Sequence, residues 1–307
     1  MNLDQILILV AITAYIAGAL ALLNYMLSRA EIAKRAGIPL AALGCVVQFG
    51  ELAYRWQSSG LWPLTNLYGS LSLFAAMSVL IYLVFAFRYD LWFMGGFVLA
   101  LAAIFLAYGL TWDEGYLPAV PALQSYWIKI HVPLVISAYA SFMVAFVSSV
   151  LYLIKFYGEQ RAAKAAAPVA ASAPAQRSII VGDAPNLERA AAGGSTLALW
   201  LATLPALPNL DIITYLLIAL GLPLLTLGII TGAWWANEAW GHYWSWDAKE
   251  TAALVSFVIY ALYMHLHTRR SIQGFWCSWI SVIGFVSIVF CYLGVNIWIS
   301  GLHSYKM

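Results

Sequence analysis

Charge is the scarcest commodity in this chain of 307 residues: only 9% are Asp, Glu, Lys or Arg, against 64% hydrophobic. A soluble domain carries about 25% charged residues, so the composition excludes an ordinary soluble fold and points to an integral membrane protein. Net charge is only +2, too little to argue for nucleic acid as a partner. Cysteine is nearly absent as well. Cys45, Cys277 and Cys291 stand alone in or beside apolar segments. No Cys-x-x-Cys pair exists, which excludes a dithiol redox motif or zinc knuckle of that spacing, and the three read as buried structural thiols. Strand-like alternation is missing too, so the apolar runs are expected to be helices rather than barrel strands.

What is present is a series of long apolar runs. Crossing a hydrocarbon layer of about 30 Å takes about 20 residues, and eight runs qualify, near 5–28, 36–54, 68–87, 91–110, 131–155, 211–234, 250–268 and 276–300. The expected fold class is therefore an all-α polytopic membrane protein of about eight transmembrane helices. The first run lacks a basic n-region, with Asp4 and no Lys or Arg before Arg29, so it reads as a span and not a signal peptide. Arg29, Lys34 and Arg35 follow it and assign that end to the cytoplasm by the positive-inside rule. Alternation then places both termini outside. Arg88, Lys155, Arg161, Lys164, Arg177, Arg189, Arg269 and Arg270 fall inside, and only Arg55, Lys129, Lys249 and Lys306 outside.

Residues 158–208 differ in composition. Ala162 to Pro168 and Ala171 to Ala175 are low-complexity, as expected of a flexible cytoplasmic linker. The segment divides an N-terminal five-helix region, 1–157, from a C-terminal three-helix region, 209–307. Leu197–Leu207 is apolar but too short to span, and reads as an interfacial lead-in to the sixth long helix. The alanine-rich linker favours a bacterial plasma membrane over a thylakoid.

Polar chemistry gathers on the outside. The densest stretch is Trp240-Gly241-His242-Tyr243-Trp244-Ser245-Trp246-Asp247-Ala248-Lys249-Glu250. Tryptophan also populates membrane interfaces as a plain aromatic belt, which accounts for scattered residues such as Trp92 and Trp276. It accounts less well for three tryptophans joined to two carboxylates and a lysine. A rigid aromatic shelf edged with charge suits a large flat ligand with acidic edges, such as haem. Lys249 has two readings, pairing with a ligand carboxylate or neutralising Asp247 or Glu250.

Imidazole is a standard axial ligand of haem iron. Of the five histidines, His131, His242 and His303 fall on the same outer face as the shelf. Each taken singly also fits a plain interfacial residue. His265 and His267 lie near the inner end of the seventh run, and residues two apart project about 200° apart on a helix, so one of them faces the bundle.

The stretch Trp240 to Thr251 resembles the "WWD" signature of membrane haem-handling proteins, and is most similar to the CcsA/ResC subunit of System II cytochrome c synthases. Further segments carry the resemblance: Pro63 to Tyr68, Pro121 to Ser125 with Trp127 and His131-Val132, Trp235 to Trp240, Leu266 to Arg269, Gly294 to Asn296, and Gly301 to Tyr305. The resemblance implies that His131 and His303 are external axial ligands of haem iron. It implies that Trp240, Trp244, Trp246 and Asp247 form a platform under the macrocycle, and that His267 is the ligand at an earlier, intramembrane site. The implied cofactor is haem b, as substrate and transient ligand. The implied partners are apocytochrome c, a separate CcsB/ResB-like membrane protein, thiol-reducing proteins and membrane lipids. The implied activity is haem delivery to apocytochrome c for thioether attachment at Cys-x-x-Cys-His, as the haem-binding subunit of a holocytochrome c synthase. No nucleophile or general base of the chain itself is implied. Three positions depart from the pattern: Ala248 in place of Pro, Gly69 in place of Glu, and His242, which reads as a surface residue.

Two other functions remain open on the sequence. A haem transporter or chaperone without a role in ligation uses the same parts. A small-solute transporter places ionisable groups at the midplane of inverted repeats; here the charges read as lying outside the runs or at their ends, and no matching halves are visible.

Overall fold

The computed structural model describes residues 3–113, 115, 121–171 and 196–299. His303, Glu114, Arg177 and Arg189 lie outside the described residues. The described chain is all-α: α1 (Leu3–Ser28), α2 (Glu31–Ser59), α3 (Leu67–Tyr89), a single turn Trp92–Met94, α4 (Gly95–Leu110), a turn Pro121–Gln124, α5 (Ile128–Ala171), α6 (Thr196–Thr203), α7 (Leu207–Trp240), α8 (Ala248–His267), α9 (Phe275–Val289), a π-helical turn Phe290–Gly294 and α10 (Val295–Trp298). All eight apolar runs are thus helical, and the chain is a polytopic membrane protein. Seven segments are long and apolar enough to cross a bilayer. The eighth run forms α8, which is not among them: Lys249, Glu250, His265 and His267 cluster at its two ends and lower its hydropathy. At 20 residues it is nevertheless about 30 Å long.

Two boundaries differ from the sequence reading. α5 continues to Ala171, well into the alanine-rich segment, because alanine has the highest helix propensity of any residue. The lead-in condenses into α6, which is tied down at one end. Arg29 donates to the Thr203 carbonyl and Lys155 Nζ donates to the Leu204 carbonyl at 2.7 Å. These cations satisfy carbonyls that a helix end leaves without intrahelical partners.

α5 is the central element. It packs on α3 in the first half of the chain and on α7 and α9 in the second, so the five-plus-three division in sequence is not a division in packing. Close approach of α5 to α7 rests on glycines of α7. A Cβ at Gly221 would meet the Phe142 ring, and one at Gly228 would meet Val135 at 2.5 Å. Gly228 and Gly232 have the small-xxx-small spacing that lets membrane helices touch backbone to backbone. Gly69 has a similar explanation. Asn66 caps α3 by accepting from the Gly69 N–H at 2.8 Å, and a Cβ at Gly69 would run into the Pro63 carbonyl. The position has no room for a glutamate.

The sequence reading of charge needs one correction. Glu51 lies inside α2 and is fully buried, and Arg55, read as an outer-loop residue, is also buried. Arg55 meets Asp113 at 2.9 Å, Asp4 at 3.6 Å and Glu51 at 3.9 Å. Glu51 accepts from the Tyr68 hydroxyl at 2.8 Å and the Ser72 hydroxyl at 3.2 Å. The charges are tolerated inside the bundle because they pair with one another.

Candidate haem-handling site

A cavity of about 570 Å³ opens where the first turn of α5, the last turns of α7, the start of α8 and the π-helical turn meet. His131, Tyr139, Trp235, Trp244, Lys249, Glu250 and Cys291 are among the residues that line it. Cys291 is buried as expected, but it also faces this space, which its isolation in sequence did not reveal.

His131 is oriented by α7. Its Nδ1 lies 2.7 Å from the Gly228 carbonyl. A carbonyl only accepts, so Nδ1 carries the proton and the neutral ring has its lone pair on Nε2. A histidine that ligates a metal is held in the same way, through its other nitrogen. The ring stacks on Trp235 with centroids 6.1 Å apart and planes 18° apart. Trp235 is fixed in turn, its Nε1 donating to the Ala122 carbonyl at 2.8 Å. Gly232 clears the space for the imidazole: a Cβ there would lie 2.7 Å from His131 Cε1 and 2.8 Å from Nδ1. Gly232→Ala is therefore expected to push the ring off its hydrogen bond while leaving the helices assembled. Haem retained by the purified protein should fall about tenfold, with the level of protein in the membrane unchanged; retained haem at the parental level would show that the ring's placement is unimportant.

The tryptophan block has an ordered backbone. α7 ends at Gly241, whose φ of 79° is the left-handed conformation that glycine adopts without cost. Asp247 is the N-cap of α8, its Oδ1 accepting from the Glu250 N–H at 2.7 Å. Glu250 reaches back, accepting from the Ser245 N–H at 2.7 Å and the Ser245 hydroxyl at 3.1 Å. This reciprocal arrangement is a variant of the capping box and fixes the turn even though Ala248 replaces Pro. Of the expected platform, Trp244 lines the cavity. Trp240 packs edge-on against Trp235, with centroids 4.8 Å apart. Trp246 packs edge-on against Trp244 and is 69% exposed. Asp247 acts as the helix cap. His242 is exposed, in line with a surface role. Lys249 turns toward α10, donating to Asn296 Oδ1 at 2.8 Å.

Two buried atoms on the cavity wall, Trp244 Nε1 and Glu250 Oε1, have no hydrogen-bond partner among the described residues. Buried polar atoms are costly unless satisfied. A donor and an acceptor therefore stand ready for a ligand that carries polar edges as well as an apolar face. An imidazole lone pair, aromatic walls and this pair of polar atoms together make a donor set that fits haem.

The π-helical turn Phe290–Gly294 faces the same cavity through Cys291. Its sulfur sits 3.6 Å from the Tyr139 hydroxyl and 3.7 Å from the Lys249 carbonyl. Such turns are frequent at functional sites. Tyr139, Gly228 and Gly232 were not singled out from the sequence; the spacing of the two glycines was the available signal for a close helix contact.

His267 does not share this cavity. It stands at the other end of α8, buried, with Nε2 at 3.0 Å from Asp211 Oδ2. Its ring stacks on Tyr215 and on Tyr263, with centroids 4.6 and 5.7 Å away. His265 is exposed, so the one histidine of the pair that faces the bundle is His267. Among the described residues no group of three His, Cys, Asp or Glu is placed to hold a bare metal ion.

Comparison with known proteins gives the family of the chain. Residues 64–303 match the family described as Cytochrome C assembly protein. The chain is 35% identical to the cytochrome c biogenesis protein CcsA of Microcystis aeruginosa, over 88% of this chain and 86% of that one. It is 37% identical to CcsA of Thermosynechococcus vestitus, over 89% and 86%. It is 34% identical to CcsA of Chlamydomonas reinhardtii, over 83% of this chain and 64% of that one. A half-buried, carbonyl-oriented histidine beside a tryptophan-lined cavity thus occurs in a chain that belongs to the cytochrome c assembly proteins of the CcsA type.

Proposed function

We propose that this chain carries haem b across the membrane and presents it to apocytochrome c for thioether attachment at Cys-x-x-Cys-His. Its part in cytochrome c biogenesis follows from the family; the haem-handling steps are our reading of the site. The observation that carries it is the hydrogen bond between His131 Nδ1 and the Gly228 carbonyl, which holds the imidazole in the wall of a cavity that Trp235 and Trp244 also line.

In this reading His131 and His303 are the two axial ligands of haem iron at the outer site. Trp244 meets the macrocycle, Trp240 backs it through Trp235, Trp246 closes the rim, and Asp247 holds the turn that carries them. His267 is the ligand at an inner site, reached first from the cytoplasm. Counting α8 as a crossing gives eight spans, with both termini and the cavity outside. Haem is the cargo and supplies the vinyl groups. Each apocytochrome thiol adds across one vinyl C=C: sulfur bonds one carbon, hydrogen goes to the other, and no net oxidation occurs. The substrate's own histidine then replaces one axial ligand. The chain supplies position, ligation and exclusion of water. A CcsB/ResB-like membrane protein is the partner that completes the synthase, and thiol-reducing proteins keep the substrate cysteines reduced.

A transporter that releases haem without ligation uses the same outer site. Reconstitution of the chain and its partner with haem and a reduced apocytochrome separates the two. Covalent haem on the apocytochrome, absent when the chain is omitted, is the expected result. Haem released outward with no thioether formed would leave only the transport reading.

A further inference from the structure

The two candidate ligands within the described residues, half-buried His131 and buried His267, are hydrogen-bonded through opposite ring nitrogens. His131 uses Nδ1, toward a backbone carbonyl. His267 uses Nε2, toward the Asp211 carboxylate. The difference matters for a ligand as wide as haem. Nε2 is the ring nitrogen farthest from the backbone, whereas Nδ1 is bonded to the carbon that bears Cβ, so a macrocycle reaches Nε2 with far less crowding. His131 is thus held through its crowded nitrogen, whereas His267 has the accessible Nε2 committed to Asp211.

The commitment is built into the end of the bundle opposite the cavity. Asp211 is in the first turns of α7, and His267 is the last residue of α8. The second Asp211 oxygen accepts from the Gly274 N–H at 3.1 Å, just before α9. Gln273 Nε2 donates to the His267 carbonyl at 2.6 Å. The Asp211 and His267 side chains are only 14% and 10% exposed. One carboxylate thus ties three helices together through the residue proposed to receive haem first.

We infer that Asp211 is a positioning residue that competes with haem iron for Nε2 of His267. With the Asp211–His267 bond made, the inner site is shut while the outer site is formed. Haem that arrives at His267 displaces the carboxylate, and haem that leaves lets the bond close behind it. This rests on the reading of His267 as an iron ligand.

The test uses the full chain, purified from membranes, in a background carrying both His131→Ala and His303→Ala so that bound haem reports the inner site. Haem per chain and the ferrous absorption spectrum are measured. Asp211→Leu removes a charge-assisted hydrogen bond without adding a competitor, and is expected to raise haem per chain about tenfold. Asp211→Asn keeps a weaker acceptor and should raise it about threefold; it serves alone if the leucine variant does not accumulate. Adding His267→Ala should abolish the gain and the histidine-ligated ferrous band. If His267→Ala lowers haem but neither Asp211 variant raises it, competition is overturned and His267 stands. If His267→Ala leaves haem unchanged in both backgrounds, the ligand assignment has failed and the competition fails with it.

Discussion

Cells carrying His131→Gly in place of the parental chain should mature c-type cytochromes at least about 100-fold less well, a loss at or beyond the upper end for residues that merely support a ligand. The reason is local. His131 is held by a hydrogen bond to Gly228 and a stacking contact with Trp235, and the substitution removes a ring and leaves a ring-sized space beside Gly232. The fold has little to lose, because α5 keeps its contacts with α7 along the rest of its length. That separation makes chemical rescue possible. Imidazole supplied in the medium should fill the space, ligate the iron and restore a substantial part of the covalent haem measured on the cytochromes. His303→Gly should behave in the same way. Parental levels of maturation in both variants would sink the outer ligand pair. Loss without rescue, together with loss of the protein from the membrane, would mean that His131 is structural.

Arg55→Met should be the most destabilising single change among the residues described. Arg55 is 4% exposed and Glu51 fully buried. The guanidinium approaches Asp113 through two nitrogens, at 2.9 and 3.4 Å, lies 3.6 Å from Asp4 and 3.9 Å from Glu51, and sits 4.3 Å from the centre of the Tyr68 ring. Methionine replaces its volume and none of its charge, so three carboxyl groups lose the cation between them. Removing one partner of a buried ion pair costs about 3–5 kcal/mol. Arg55→Lys should recover part of this, since an ammonium keeps the charge but not the two-pronged geometry. Thermal unfolding in detergent and the amount of protein in the membrane give the ranking parental, then Lys, then Met. A methionine variant as stable as the parent would mean that the cluster is hydrated and worth little.

The span helices were readable because membrane insertion writes itself as uninterrupted apolar length. That one of His265 and His267 faces the bundle also came through, as did the burial of the three thiols. The failures have physical causes of their own. Glu51 and Arg55 look like residues at the frayed end of an apolar run, and only the meeting of α1, α2, α3 and the Asp113 turn makes them an interior cluster. Asp211 opens a long apolar run and reads as an interfacial carboxylate until α8 brings His267 to it. The tryptophan block announced a site, yet its members divide the work unequally: Trp244 lines the cavity, Asp247 caps a helix, and the contact with His131 falls to Trp235, outside the eleven-residue stretch. Periodicity reports which face of a helix is buried, not which residue of another helix it will meet.

The π-helical turn at Phe290–Gly294 acts as a phase shifter. One residue beyond the α-helical count advances everything downstream by about 100° around the helix axis. What it turns toward α8 is Asn296, the partner of Lys249. The five residues that bring Cys291 to the cavity wall thus also set the angular position of the last described turn, Val295–Trp298.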